Sequence, residues 1–500
     1  MRLKLEVGVL TAAVVLGSIT SGMAFEPGDM NCDGVVDEFD CPVMALAMTD
    51  PDGYAATYPT CPVENADLNG DGLIDCVDFP LFVAVVGQTS ANGCGFMDCP
   101  LQPDAIFAVG DGPGPDYEPA VACSESSTTC LVVWQTDPSN ISFSIWGRFV
   151  GLDGIAFGAP FQISTEATVH ESPDVGYDPV RNRFLVAWSS EYAPNPIDTD
   201  IRARFIPMGG PDPTELPFPI STTTDRQTAP RLAYAPGADE FLVVWTSDDQ
   251  TNPNTIVGRR VLADGSGFAT GDLTLSQGTQ HRIGPALAWD DANSRYILAY
   301  NRIESATGAD VWLRRISWSG AQIGVETGIA AWPGAEEFVS VDVLDGAPLV
   351  TWVGGNRAYA RWADSDGLPV GPPLDLTDGA IGSTGETSVA CGGAGGGCRA
   401  VWMWVDAGGG AWNIVDRRVS STGGLGPIAD VRRSPPGFPL SAFAQEVTVA
   451  NGSFVRVWTQ ANPAGSGLNT FDIHARVFQT LLFRDGFESG DTLWWSATFP

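Results

Sequence analysis

Residues 230–245, PRLAYAPGADEFLVVW, decide the fold. Two short apolar runs, PRLAY and FLVVW, flank a polar loop, the pattern of a β-hairpin. The same unit recurs along the chain. Its second run reads CLVVW (Cys130–Trp134), FLVAW (Phe184–Trp188), FLVVW (Phe241–Trp245), YILAY (Tyr296–Tyr300), PLVTW (Pro348–Trp352), CRAVW (Cys398–Trp402) and FVRVW (Phe454–Trp458). Facing residues in the seven hairpins are Cys123/Cys130, Tyr177/Phe184, Tyr234/Phe241, Trp289/Tyr296, Val343/Pro348, Cys391/Cys398 and Val449/Phe454. Where the spacing shortens, the turn is Asp345-Gly346 or Asn451-Gly452, the residues a two-residue hairpin requires. Register is therefore kept while loop length varies. Facing positions bring Cβ atoms within disulfide range, so Cys123–Cys130 and Cys391–Cys398 are predicted bonds in place of an aromatic pair.

A third strand follows, with an arginine at one repeated place: Arg148, Arg204, Arg259, Arg314, Arg361, Arg417 and Arg476. Recurrence in every unit marks a structural contact, with a carboxylate or the Trp face as partner, rather than a ligand ring. A turn, often Asp-Gly, and a fourth strand such as FPIST complete the unit. Four strands in each of seven units predict a mainly β chain, a seven-bladed β-propeller over residues 104–481. The last unit lacks an evident fourth strand. AIFAVG (Ala105–Gly110) is the expected donor that closes the ring, with TLLFR (residues 480–484) as competitor.

The rest of the chain divides into other parts. MRLK, an apolar run and TSGMA form a signal peptide over residues 1–24. A small module spans residues 25–90, a Cys-containing linker 91–103 and a tail 482–500. No later segment has the length and apolarity of a membrane-spanning helix. A net charge of −34 repels phosphate and anionic lipid, which argues against nucleic acid and membrane-surface partners. Ten cysteines, an even number, fit disulfides in a secreted or surface-attached protein. Only three histidines and no paired CxxC make a zinc site improbable.

The module carries two acidic loops, DMNCDGVVDEFD (Asp29–Asp40) and DLNGDGLIDCVD (Asp67–Asp78). Oxygen side chains stand at loop positions 1, 3, 5, 9 and 12: Asp29, Asn31, Asp33, Asp37 and Asp40, then Asp67, Asn69, Asp71, Asp75 and Asp78. Val35 and Leu73 offer backbone carbonyls at position 7, and Gly34 and Gly72 fill position 6. Two such loops predict two Ca²⁺ ions, since clustered carboxylates need a cation. No entering helix fits before the first loop, and position 12 is Asp rather than Glu, which argues against a sensor EF-hand. A module this small needs staples. Spacing leaves the connectivity open; Cys32–Cys61, Cys41–Cys76 and a local Cys94–Cys99 bond are the pairings we expect.

These paired loops, each followed by an apolar run (VMALAM, FPLFVAVV), resemble a type I dockerin. That resemblance implies two bound Ca²⁺, a helix leaving each loop, and attachment to a cohesin-like partner. The loops start 38 residues apart, and positions 10 and 11 hold Glu38-Phe39 and Cys76-Val77 instead of the Ser-Thr often used for cohesin contact. The propeller repeat resembles those of uncharacterised bacterial secreted propellers. The ending DGFESGDTLWWS resembles a short tail of secreted bacterial proteins.

In each unit, five residues before the first member of the facing pair, the chain offers Glu118, Ser172, Ala229, Gly284, Phe338, Glu386 and Ala444. No nucleophile elbow or sialidase box stands out, His170 and His281 lack an obvious nucleophile partner, and no catalytic residue is assigned. The expectation is a secreted, calcium-binding protein whose propeller binds a glycan or a surface protein. The alternative is a glycoside hydrolase using Glu118 and Glu386, attached through its dockerin-like module to act on polysaccharide.

Overall fold

A computed structural model describes parts of residues 28–66 and most of residues 106–479; residues 1–27, 67–105 and 480–500, and short stretches elsewhere, lie outside the description. The chain divides into two compact units, Met1–Gln102 and Pro103–Pro500.

The second unit is a seven-bladed β-propeller, built from seven separate four-stranded antiparallel sheets. The inner strands of blades one to seven are Asp116–Ser124, His170–Asp178, Arg226–Ala235, Arg282–Asp290, Glu336–Leu344, Gly382–Cys391 and Ala442–Ala450. In blades one to six the strands pair in sequence order from the inside out. Blade seven takes its outermost strand from Phe107–Gly110, which pairs antiparallel with Phe471–Gln479. The start of the propeller thus closes its end, and TLLFR falls outside the described residues.

All seven facing pairs read from the repeat stand opposite each other in the inner hairpins. Register survives the short loops because the Asp345-Gly346 turn places both residues at positive φ, 50° and 81°, as a two-residue turn demands. The marker aromatic on each second strand is the core of the blade: Trp134, Trp188, Trp245, Tyr300, Trp352, Trp402 and Trp458 are all at most 1% exposed. Truncating such a side chain typically costs about 3–5 kcal/mol.

The repeated arginines tie neighbouring blades together along their outer strands. Arg148, Arg204, Arg361, Arg417 and Arg476 donate to the carbonyls of Val109, Ile163, Ile329, Leu376 and Val431 at the end of the preceding blade's fourth strand, at 2.7–3.0 Å. Arg259 does the same to Ile220. Four of them also donate Nε to a carbonyl of their own blade's fourth strand or of the turn before it: Gly158, Glu215, Gly371 and Gly426. The structural role expected for these arginines is correct; the commonest partner is a backbone carbonyl, and Arg259, Arg314 and Arg417 also pair with the expected carboxylates, Asp272, Glu326 and Asp378. Burying strand ends leaves carbonyls to satisfy, and a guanidinium's fork reaches two at once. Arg314 differs: Gln322 and Glu326 take its fork.

In the first unit the 3₁₀ turn Val63–Ala66 is the one element with described bounds. The helix expected over VMALAM lies largely outside the described residues, and that over FPLFVAVV entirely so.

Candidate functional site

The seven inner strands surround a channel of about 460 Å³, lined by residues from every blade. One end of its wall is irregular in all seven blades. In blade one, Glu118 and Pro119 together face Trp134, because Tyr117 pairs with Gln135 and Ala120 with Val133. Blades two to five repeat this two-for-one bulge, and blades six and seven insert one extra residue there. The bulged residues Glu118, Ser172, Ala229, Gly284 and Phe338 adopt left-handed conformations, φ 48–59°. Pro119, Pro173, Pro230 and Pro285 follow four of them, at sites where no ladder N–H is needed. The positions singled out from the repeat are therefore this ring of bulges. Glu118, Ser172, Phe338 and Glu386 all line the channel.

A left-handed conformation suits Gly284 and strains Phe338. Phe338 is also 47% exposed. Glu118 is exposed and accepts a hydrogen bond from Ser172 Oγ at 3.1 Å across the junction of blades one and two. The Ser172 amide donates to Gln135 Oε1 at 2.8 Å, so the bulge of blade two is held by the residue after Trp134. Gly284 is held likewise by Thr246 Oγ1 of blade three. Beside Ser172, Glu171 has its carboxyl raised, first by burial and then by the charges of Glu118 and Glu191. Sequence reasoning passed over Glu171, because its strand position carries no repeated residue type. The legible signal was its place next to a bulge and one blade away from another glutamate.

Deeper in the channel, inner-strand amides are capped by the preceding blade. Leu232 N donates to Asp174 Oδ2 and Cys391 N to Asp342 Oδ2, each at 2.7 Å. Ser340 Oγ accepts from Val389 N, and Ser388 Oγ from Val447 N. These side chains occupy the edge of strands that would otherwise offer free amides. Burial raises the Asp174 carboxyl and pushes that of Asp342 up to about 6.

Two of the histidines are held by hydrogen bonds. Buried His170 accepts from Trp188 Nε1 at Nδ1, 3.1 Å, and its Nε2 lies 3.1 Å from the Glu166 carbonyl. That network places the proton on Nε2, and burial lowers the ring's basicity. His281 packs its Nδ1 against Asn254.

The disulfides Cys123–Cys130 and Cys391–Cys398 close the inner hairpins of blades one and six, and Cys32–Cys61 closes the first unit. Cys41, Cys76, Cys94 and Cys99 fall outside the described residues.

In the first acidic loop, Asp29 and Asp40 are buried, and Asp40 Oδ1 accepts from the amides of Met30 and Asn31 at 2.8 and 3.0 Å. Position 12 thus folds back onto positions 2 and 3. Asp33 N donates to Asn31 Oδ1 and Val35 N to Asp33 Oδ1, while Tyr54 holds the Met30 carbonyl. The donors are all oxygen, which suits a hard cation. Among the described residues no group of three or more His, Cys, Asp and Glu is placed to hold a metal ion. Asp37, and Asp67, Asn69, Asp71, Leu73, Asp75 and Asp78 of the second loop, fall outside the description. Among the described residues no helix is long and apolar enough to cross a membrane.

No protein-family model and no curated protein matches the chain. Similar solved structures include polysaccharide lyase Uly1, at 10% identity and TM-score 0.46, covering 75% of this chain and 92% of that one. A leech intramolecular trans-sialidase matches at 11% identity and TM-score 0.41, covering 80% and 72%. An acylaminoacyl peptidase of Pyrococcus horikoshii matches at 7% identity and TM-score 0.41, covering 74% of this chain. The chain spans about half that peptidase's length, 53%.

Proposed function

We propose that the propeller binds a glycan at the bulged mouth of its channel. Phe338 carries the reading: a strained, half-exposed aromatic stands where a neighbouring blade has Gly284. Strain of this kind persists where the surroundings enforce it and is concentrated at binding sites. The ring offers a flat face for the C–H surface of a sugar, and Glu118, Ser172 and Glu386 supply acceptors and a hydroxyl for its hydroxyl groups. Affinity electrophoresis or glycan-array retention with the wild type and Phe338→Ala is the test. Equal retention of both proteins removes this reading.

A second reading, glycoside hydrolysis, is favoured by one observation: Glu118 and Glu386 line the same channel. Such chemistry needs an acid and a base or nucleophile on opposite sides of the scissile bond. Release of reducing sugar that is abolished in Glu118→Gln and Glu386→Gln establishes it; retention without turnover leaves binding.

For the first unit we propose a dockerin-like module that folds around two Ca²⁺, held by Asp29, Asn31, Asp33, the Val35 carbonyl, Asp37 and Asp40, and by their counterparts in the second loop. Its exiting helices would present the surface for a protein partner, and the whole chain acts outside the cell. The disulfides support that compartment. Calorimetry in which Asp33→Asn and Asp71→Asn each remove one bound Ca²⁺ checks the loops.

A further inference from the structure

The charges around the channel are unbalanced. Among the described residues that line it, Glu118, Asp174, Asp342 and Glu386 are acidic and Arg231 is the one base. Beyond Lys4 the chain has no lysine to offset them. Deeper in, the wall answers its own acids. Leu232 N and Cys391 N donate to Asp174 and Asp342, and the charge of Arg231 acts on Asp174. Arg231 is itself turned onto the Pro230 carbonyl, at 2.8 Å. At the mouth the Ser172 hydroxyl donates to Glu118 and brings no charge.

Phe338 is the one aromatic side chain among those lining residues. Its bulge abuts that of Glu386 on the next blade. Thr387, which follows Glu386, donates Oγ1 to the Phe338 carbonyl at 2.7 Å and accepts from Thr351 Oγ1 of blade five at 3.1 Å. Two neighbouring blades thus set an aromatic residue and a glutamate at adjoining places on the rim. Glu118 holds the equivalent place in blade one, two blades further round.

An aromatic face alone accepts many sugars; the glutamates discriminate among them. A uronate or sulfate group is repelled by their charge. A neutral sugar offers them only hydroxyl donors. An ammonium group donates charge-assisted hydrogen bonds to a carboxylate and is drawn to the face of an aromatic ring. We propose that the channel mouth selects a cationic glycan, one whose hexose units carry free amino groups, with an ammonium against Phe338 and paired to Glu386 while Glu118 adds to the attracting field. This rests on the mouth being a glycan site and names the class of glycan.

The test is calorimetry on the full chain with three probes: a β-1,4-linked glucosamine tetramer, its fully N-acetylated form and a galacturonate tetramer. The free-amine tetramer should bind about tenfold tighter than the N-acetylated one, and the galacturonate should not bind. Glu386→Gln should remove most of that preference while leaving the N-acetylated form unchanged, and Glu118→Gln should remove a smaller part. Raising NaCl from about 0.05 to 0.5 M should weaken the free-amine probe alone, since salt screens the ion pair. Equal affinity for the amine and N-acetylated forms, both lost in Phe338→Ala, overturns the amine selection and keeps the glycan site. Equally tight binding of tetralysine also overturns it, because charge alone would then be read. Binding of none of the sugars, or binding indifferent to Phe338→Ala, removes the glycan site and this inference with it.

Discussion

Ser172 donates its hydroxyl to Glu118 at 3.1 Å, joining the bulges of two adjacent blades at the mouth of the channel. An ionised acceptor makes this a charge-assisted bond. Ser172→Ala should therefore free the Glu118 carboxylate and weaken any ligand held through it by about tenfold, the effect of ~1.4 kcal/mol. Ligand titration against both proteins reads this directly. Unchanged affinity would show that Glu118 is not in the site.

Strain and recognition separate at Phe338. Phe338→Gly relieves the left-handed backbone and should stabilise the fold by about 1 kcal/mol. It should also abolish glycan retention. Thermal melting and retention, measured on the same variant, are expected to move in opposite senses.

The arginine clip is testable at Arg361, which holds Ile329 of blade four and Gly371 of its own blade. Arg361→Ala should lower stability by about 1.5–3 kcal/mol, the range for bonds from a charged group. Arg361→Lys should recover little, since an ammonium lacks the planar fork. Denaturant unfolding of the three proteins gives the order.

Cys123 and Cys130 occupy the site that Tyr177 and Phe184 fill in blade two, where the rings lie 5.1 Å apart. Cys123→Tyr with Cys130→Phe should fold in reducing conditions and lose no more than about 2 kcal/mol, because an aromatic pair replaces part of what the bond contributes. Loss of the folded state would mean that blade one cannot accept the aromatic volume.

Stability should fall as pH rises through neutrality in EDTA. Glu336, Asp342 and Asp200 are pushed up to about 7, 6 and 6, each first by burial. A carboxyl raised above its unfolded value binds its proton more tightly in the fold. Its contribution is thus present at low pH and disappears as pH climbs through the folded value. Glu326 runs the other way: Tyr300 and Arg282 counter its burial and hold it down to about 2, so its stabilisation is lost as pH falls from the ordinary glutamate range through that value. Melting temperature should decline between about pH 5 and 8, and Asp342→Asn should flatten the decline.

By itself the sequence determined the repeat, the number of blades, the facing pairs and two of the disulfides. These follow from interactions between neighbouring hairpin strands: alternation, turn residues and register all lie within one unit of about fifty residues. It also marked Phe338 and Glu118 as equivalent positions, though not what was unusual about them. Only the tertiary structure showed that those positions form a ring of left-handed bulges opposite the buried Trp and Tyr side chains. It alone brought Ser172 to Glu118 and gave the repeated arginines carbonyl partners in the preceding blade. Each of these joins two blades, and such contacts arise only when the ring closes.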